Sequence, residues 1–202
     1  MKKYIVFLIL LYSLNGFAQN IEEAEKPQSL GTQTSMLLIS GIGVPNYSLH
    51  FTIDTKKNFF SIGPLISRNL DLSSSYYYGS GVKNGYTLNG FILQYRHYPN
   101  SKAKVFDFFF HNQFIFQYFK DKGEDGLMYY GLDSYKSQLI NTGNFIGYGF
   151  DVKFLKHFYV SQSVSAGIFY YNLTQDYENI DDIVDKYHSP GFIINFGIGY
   201  RN

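Results

Sequence analysis

The sequence contains no cysteine and no tryptophan, and charged residues make up only 16% of it, well under the roughly 25% that is typical of soluble domains. Without cysteine the chain can form no disulfide, and a lipoprotein anchor is excluded because that anchor is attached to a cysteine. The formal net charge is +1. A nearly neutral chain offers no electrostatic basis for binding nucleic acid.

Long hydrophobic runs are also scarce, and the only uninterrupted one lies at the N-terminus. It is too short for a spanning helix, which needs about 20 apolar residues. The run and its surroundings have the three parts of a secretory signal peptide, which are a positive start, an apolar core and small residues before the cut: Lys2, Lys3, residues 4–12, Gly16 and Ala18. The sequence therefore predicts a signal peptide over residues 1–18, whose removal lowers the formal charge to −1.

Aromatic residues are abundant, with 20 tyrosines and 20 phenylalanines, and many of them recur at every second position. Such alternation is typical of a β-strand, which sends successive side chains to opposite faces. The clearest example closes the chain, where apolar residues alternate with mostly small or polar ones: Phe192, Ile194, Phe196, Ile198 and Tyr200. Segments of this kind predict eight strands: 36–43, 47–54, 59–68, 86–98, 106–118, 146–154, 160–170 and 192–200.

The links between these segments alternate in length. Short turns are predicted at 55–58, 99–104 and 155–157, and long loops at 69–85, 120–140 and 173–188. Bacterial outer-membrane barrels have short periplasmic turns, longer outside loops and an even strand count. The pattern therefore predicts an all-β, eight-stranded antiparallel transmembrane up-and-down β-barrel over residues 35–202, preceded by a periplasmic leader over 19–34.

Two positions test this topology. The link at Val44, Pro45 and Asn46 is short where an outside loop is expected, and if the strands that flank it were one bent strand, the count would be odd. Pro64 lies inside the third strand and cannot donate to the hydrogen-bond ladder, so a bulge is expected there.

Over residues 35–202 the chain resembles the small outer-membrane β-barrels of the OmpA-like transmembrane-domain and OmpX-like kind. The resemblance rests on the strand pattern and implies an outer-membrane address. Barrels of this kind often end in an outward aromatic residue that the insertion machinery reads. Phe196, Ile198 and Tyr200 match that pattern, whereas the last residue is Asn202. The implied partners are outer-membrane lipid and lipopolysaccharide, the insertion machinery, and an extracellular or envelope protein, with no nucleic acid.

Eight strands enclose a lumen that side chains can fill. Six charged residues fall on the polar faces near the periplasmic end, and they should pair because a buried unpaired charge is strongly disfavoured: Asp54, Arg96, Asp107, Asp151, Lys153 and Arg201. This set predicts an ionic plug with a structural role. The alternative is a functional role for the same residues, as a gated path for protons or ions. His50 and His111 should point inward as hydrogen-bonded filling.

The predicted function is that of a non-enzymatic barrel, structural or surface-binding, with no catalytic, cofactor-binding or metal residue. One alternative is a lipid A-modifying enzyme, for which His188, Ser189 and Asp185 are the candidates, although neighbours on a strand face opposite sides. Another is a soluble periplasmic lipocalin-like carrier, whose apolar faces would point inward around an apolar ligand. The Gly, Ser, Asn and Gln of the polar faces favour the membrane barrel, since solvent-facing strands usually carry Lys, Glu and Thr.

The outer loops are where a binding function is expected. Residues 73–81 form a Tyr/Ser/Gly run of the kind that adaptable contact surfaces use, and Met128, Tyr129, Tyr130 and Tyr135 add aromatics. The last loop is acidic, which predicts a solvated face or a site for a divalent cation: Asp176, Glu178, Asp181, Asp182 and Asp185. Its apolar residues at helical spacing predict a short amphipathic helix: Ile180, Ile183, Val184 and Tyr187. Tyrosines near the barrel mouths should anchor the membrane interface: Tyr86, Tyr118 and Tyr170.

Overall fold

The computed structural model describes residues 29–40, 45–55, 57–70, 72, 82–99, 105–127, 131–177 and 180–202. They form eight strands: β1 (Ser29–Ile39), β2 (Pro45–Asp54), β3 (Asn58–Leu70), β4 (Val82–His97), β5 (Phe106–Leu127), β6 (Gly131–Lys153), β7 (Phe158–Tyr177) and β8 (Ile180–Arg201). Each strand pairs antiparallel with the next, and β8 pairs with β1 to close the barrel. Within the described residues, no helix has the length and apolar character needed to cross a bilayer.

The predicted count of eight strands is confirmed, because β1 and β2 are separate strands that pair from Ser29↔Asp54 to Leu38↔Pro45. The predicted boundary of the barrel at residue 35 was too late, since β1 begins at Ser29. Residues 29–34 are polar in composition, yet they pair with β2, and from Gly31 onward they also pair with β8. The signal peptide predicted over 1–18, and the rest of the predicted leader, lie outside the described residues.

The alternating apolar residues of the strands point away from the lumen and form an apolar surface around the barrel. Phe51, Ile146 and Phe192 are each more than 60% exposed, whereas the polar residues between such positions are buried in the lumen. A soluble carrier would present the opposite arrangement, with polar residues facing the solvent. The outward direction of the apolar alternation therefore matches a barrel that faces lipid.

The strands differ in length, and this corrects the predicted outer loops. Strands β1, β2 and β3 have 11, 10 and 13 residues, but β5, β6, β7 and β8 have 22, 23, 20 and 22. The long loops predicted at 120–140 and 173–188 are mostly strand, because the ladders continue to Leu127↔Gly131 and Tyr177↔Ile180. We call this extension the outer wall: residues 118–127, 131–142, 170–177 and 180–190.

The amphipathic helix predicted in the last loop is wrong. Ile183 and Val184 pair with Gln175 and Thr174 of β7, so the segment is part of β8. Pairing along a whole neighbouring strand satisfies the backbone groups of this short segment, and its local helical spacing does not compete with that.

The links at the end of the barrel where β1 begins and β8 ends are confirmed as short. Strand β2 ends at Asp54 and β3 begins at Asn58, while β6 ends at Lys153 and β7 begins at Phe158. The β4–β5 link runs from residue 98 to 105, and residues 100–104 of it lie outside the described part. The bulge predicted at Pro64 is not found there, since Pro64 pairs in register with Phe91. The nearest register shift follows between Leu65 and Ile66, where β4 carries one extra residue, Asn89.

Candidate functional site in the lumen and at the outer rim

The inner end of the lumen contains a chain of four buried charges from four strands. Arg96 Nη1 lies 3.1 Å from Asp151 Oδ1, and the other carboxylate oxygen of Asp151 lies 2.6 Å from Arg201 Nη2. Arg201 Nε in turn lies 3.0 Å from Asp54 Oδ2. Two arginines and two aspartates therefore neutralise one another across the lumen.

The other two predicted charges form a pair of their own. Lys153 Nζ lies 2.9 Å from Asp107 Oδ2. The prediction that all six charges pair is thus confirmed, and the arrangement is that of an ionic plug. The pairing is what allows these charges to be buried, since a single unpaired charge would cost several kcal/mol (about 3–5) when its partner is removed.

Arg96 is held by more than its ion pair. Its guanidinium donates hydrogen bonds to Gln94 Oε1 at 3.0 Å, Ser161 Oγ at 3.0 Å and Gln33 Oε1 at 2.9 Å. The rings of Phe59 and Phe109 flank it, with their centroids 4.4 and 4.5 Å from Cζ. A guanidinium with this many fixed partners has one conformation available, which is a property of a structural element rather than of a moving gate.

Two tyrosines complete the inner layer. The Tyr98 hydroxyl donates to Asp151 Oδ2 at 2.7 Å, and the Tyr159 hydroxyl donates to Gln33 Oε1 at 3.0 Å. Both side chains are fully or almost fully buried. The inner lumen is therefore filled by hydrogen-bonded side chains and aromatic rings together.

The two inward histidines lie above this layer, as predicted. His50 Nδ1 lies 3.2 Å from Ser61 Oγ, and Gln94 Nε2 donates to His111 Nδ1 at 3.2 Å. Both rings are buried. They are hydrogen-bonded filling of the lumen, which confirms the sequence interpretation.

The outer half of the lumen contains a packed apolar layer beside buried polar residues such as Gln117 and Asn141, and this layer was not predicted from the sequence. Phe145 and Phe169 are fully buried and meet edge to face with centroids 4.6 Å apart. We call the whole packed layer the apolar plug: Leu37, Ile39, Leu65, Leu70, Leu72, Ile92, Ile115, Phe119, Leu139, Phe145, Phe169, Tyr171 and Ile193. A signal was present in glycines opposite these rings, since a Cβ at Gly143 or Gly191 would lie 2.5 or 2.6 Å from ring carbons of Phe145 or Phe169.

Leu72, the described residue that follows β3, lies at the outer mouth of the lumen. Leu72 belongs to the apolar plug, and its backbone N–H donates to Asp121 Oδ2 of β5 at 2.9 Å. Gln175 Nε2 of β7 donates to the Leu72 carbonyl at 3.0 Å. Leu72 is therefore held between β5 and β7 of the outer wall, above the lumen.

The candidate catalytic residues are not brought together. His188 packs against Tyr170 with ring centroids 5.1 Å apart, and Ser189 Oγ donates to the neighbouring Pro190 carbonyl at 3.2 Å. His188 and Ser189 point to opposite faces of β8, as the sequence analysis expected. Asp185 shares the face of Ser189 but lies four residues away, about 13 Å along a strand. No nucleophile–base pair exists among these residues.

Other predicted outer features are only partly visible. The Tyr/Ser/Gly run 73–81, residues 128–130 and Glu178 lie outside the described residues, as do the side chains of Tyr135, Asp181 and Asp182. Among the residues whose side chains are described, no three His, Cys, Asp or Glu form a group that could hold a metal ion. Tyr86, Tyr118 and Tyr170 lie on the outward face near the outer rim, which suits interface anchors.

The sequence matches no protein-family model and no curated protein sequence. Two solved structures are similar in fold. The N-terminal β-barrel domain of Pseudomonas aeruginosa OprF has a TM-score of 0.53 at 9% identity, with 87% of this chain and 98% of that one covered. A major outer membrane protein from Thermus thermophilus has a TM-score of 0.46 at 12% identity, with 86% and 98% covered.

The fold is that of a small outer-membrane β-barrel. The likeness to the OprF barrel domain, together with the closed antiparallel topology and the apolar outer surface, defines this class. The prediction of an OmpA-like eight-stranded barrel is confirmed at the level of fold.

Proposed function

We propose that this protein is an integral outer-membrane barrel without enzymatic activity, which acts as a closed structural body and presents its outer wall to the cell exterior. The observation that carries the proposal is the combination of an apolar outer surface with a lumen filled at two levels. A channel would need a continuous polar path through the lumen. Here the ionic plug at the inner end and the apolar plug at the outer end both stand across that path.

The outer wall is the part that a surface function would use. Strands β5 to β8 continue well past the ends of β1 to β3, and loops and strand ends at this rim are the usual place for recognition in a rigid barrel. Charged residues on the wall such as Lys122 and Asp176 are exposed. We propose binding of an extracellular or envelope partner to this rim, or stabilisation of the outer leaflet by it.

Export by a signal peptide over residues 1–18, and recognition of the last strand by the insertion machinery, belong to the same proposal. The outward Phe196, Ile198 and Tyr200 of β8 support it, because they pair directly with β1 and β7 at the closing seam of the barrel. Outer-membrane lipid and lipopolysaccharide would then be the immediate surroundings of the apolar surface.

Two measurements on the membrane fraction test this proposal. Unboiled protein should migrate differently from boiled protein on a mildly denaturing gel, because a closed barrel resists detergent until it is heated. The purified barrel should give no steady conductance in a planar bilayer of phosphatidylcholine. Recovery of the protein in the soluble fraction without a gel shift would overturn the membrane assignment, and a stable open channel would overturn the closed lumen.

A further inference from the structure

The wall of the barrel is open between β4 and β5 at its outer end. Their ladder runs from His97↔Phe110 to Gly90↔Gln117, and no pair between them is found beyond that point in the described residues. Above it, β4 continues to pair only with β3, as far as Leu70↔Val82, and β5 only with β6, as far as Leu127↔Gly131. The two hairpins therefore separate at Gly90 and leave a lateral crevice.

The separation has identifiable causes in β3 and β4. Two register shifts, between Leu65 and Ile66 and between Arg68 and Leu70, distort the β3–β4 ladder on the side away from β5. Gly85 has a φ of 102°, in the left-handed region that favours glycine. Bulges bend a strand and increase its twist, so β4 diverges from β5 above Gly90.

A cavity of about 230 Å³ occupies this crevice. Its lining residues come from β3 and β4 on one side and from β5 on the other: Asn69, Leu70, Thr87, Leu88, Asn89, Tyr118, Phe119 and Lys120. They include outward-facing Leu88, which is 68% exposed, and inward-facing Phe119, which is 4% exposed. Residues from both faces of the sheet therefore border the cavity, which lies between the two hairpins.

The lining combines three kinds of chemistry. Leu88 and Phe119 are apolar, the Thr87 hydroxyl donates to Asn69 Oδ1 at 2.7 Å, and Lys120 supplies a cation. Asn89 is 9% exposed, and its Oδ1 has no hydrogen-bond partner among the described residues, whereas its Nδ2 donates to Ser67 Oγ. This buried amide oxygen can accept a hydrogen bond from a group that enters the crevice.

The position of the crevice along the barrel axis indicates what kind of ligand it would meet. Tyr86 and Tyr118 flank it on the outward face, and the Tyr86 ring meets that of Tyr47 with centroids 5.8 Å apart. Tyrosines gather where the hydrocarbon core meets the headgroups. Unpaired backbone at the edge of the hydrocarbon is costly unless a polar group satisfies it. The crevice thus opens at the level of the lipid headgroups in the outer leaflet.

We propose that this crevice binds the headgroup region of a phosphorylated, acylated sugar lipid of the lipid A type. Lys120 would bind a phosphate, Asn69, Thr87 and Asn89 would bond sugar hydroxyls, and Leu88 would contact the start of an acyl chain. The Lys120 ammonium already lies over the Tyr118 ring, 5.3 Å from its centroid, at the mouth of the cavity. Complete ligand sites usually measure about 300–1,000 Å³, so this smaller cavity suits one part of a lipid whose remainder stays in the leaflet.

This inference rests on the proposed function, because it requires the barrel to lie in a membrane. The test uses the full folded protein in uncharged detergent, and native mass spectrometry to count bound lipid. The probes are lipid A, phosphatidylglycerol and phosphatidylcholine, each added in a titration. Lipid A should bind as a single molecule and most tightly, phosphatidylglycerol more weakly because it has no sugar amides and no sugar hydroxyls, and phosphatidylcholine least.

Three variants distinguish lipid binding in the crevice from nonspecific electrostatic attraction to the barrel. Lys120→Gln should weaken lipid A binding about tenfold, the usual scale for one hydrogen bond to a charged group. Lys122→Gln is the matched control, because Lys122 is exposed on the same face of β5 but does not line the cavity. It should change the affinity by less than about twofold. Asn89→Asp keeps the shape of the side chain but places a negative charge beside the phosphate, and should also weaken lipid A binding.

Three results would overturn the inference. Equal losses in Lys120→Gln and Lys122→Gln would mean that charge alone attracts the lipid. Equal affinity for lipid A and phosphatidylcholine would mean that the crevice does not recognise a net anionic headgroup, and equal affinity for lipid A and phosphatidylglycerol would mean that it does not recognise the sugar. The gel shift on heating distinguishes these failures from failure of the proposed function, since a folded barrel that shows no lipid preference contradicts only the crevice.

Discussion

Arg96 of β4 and Asp151 of β6 face each other across the lumen with both side chains fully buried and 3.1 Å between Nη1 and Oδ1. Their strands are not neighbours, since β5 lies between them in the sheet. The pair therefore ties non-adjacent parts of the wall together through the interior. With Arg201 and Asp54 it forms a neutral set that holds the inner end of the barrel closed.

Replacing Asp151 should be strongly destabilising. Asp151→Asn leaves Arg96 and Arg201 with only Asp54 as a buried counter-charge, and breaking a buried pair of this kind costs about 3–5 kcal/mol. The free energy of unfolding in guanidinium, measured in detergent micelles, checks this. Lys122→Gln is the control, since Lys122 is exposed on the outer wall and its replacement leaves no buried charge behind. An equal loss of stability in the two variants would contradict the prediction that the buried ion pairs of Asp151 stabilise the barrel.

The apolar plug makes a separate prediction. Phe145→Ala removes a fully buried ring from its contact with Phe169 and should lower the free energy of unfolding by about 3–5 kcal/mol. Phe192→Ala is the matched control on the lipid-facing side, where Phe192 is 65% exposed and lipid or detergent can fill the space. Guanidinium titration of both variants should show the larger loss for Phe145→Ala, and the opposite order would mean that the rings of the plug do not pack as described.

The outer mouth should loosen when Asp121 is removed. Asp121→Ala deletes the acceptor of the Leu72 N–H, so that amide should exchange with deuterium about tenfold faster or more. Asp176→Ala removes an exposed aspartate of β7 and should leave the Leu72 amide unchanged. Unchanged exchange in Asp121→Ala would show that Gln175 and the apolar contacts of Leu72 hold the segment without it.

The separation of His188 and Ser189 predicts that neither supports catalysis. Lipid A from cells that make the wild-type protein, His188→Ala or Ser189→Ala should have the same mass spectrum as lipid A from cells without the protein. A modified lipid A species that appears with the wild type and disappears in Ser189→Ala would contradict the non-enzymatic assignment.

The sequence predicted the fold wherever one face of a strand meets lipid and the other meets the lumen. In that zone the period of two is enforced on every strand, and residues such as Phe192 and Ile198 show it clearly. Above Tyr118 and Tyr170, which suit interface anchors, the two faces of the outer wall have similar surroundings and the alternation fades. Residues 120–127 are mostly charged or glycine, and only their ladder with β6 reveals a strand.

The site was predictable in part for the same reason. Charges on the polar faces had to pair, and the six residues named from the sequence do so. Phe109 and Phe145 were missed as inward residues, because aromatics also populate the outward face and a run such as Phe108–Phe110 has no alternation. The crevice between β4 and β5 depends on register shifts between strands, which a single sequence does not specify.

The most direct test of the account uses the absence of tryptophan from the chain. Phe108 is 40% exposed and Phe109 is fully buried, although they are neighbours on β5. Single variants Phe108→Trp and Phe109→Trp, each verified by its gel shift on heating, can be placed in vesicles of brominated phosphatidylcholine, which quenches only tryptophans in contact with lipid. Strong quenching of Phe108→Trp and little quenching of Phe109→Trp is the predicted result. Quenching in the opposite order would contradict the outward direction of the apolar face.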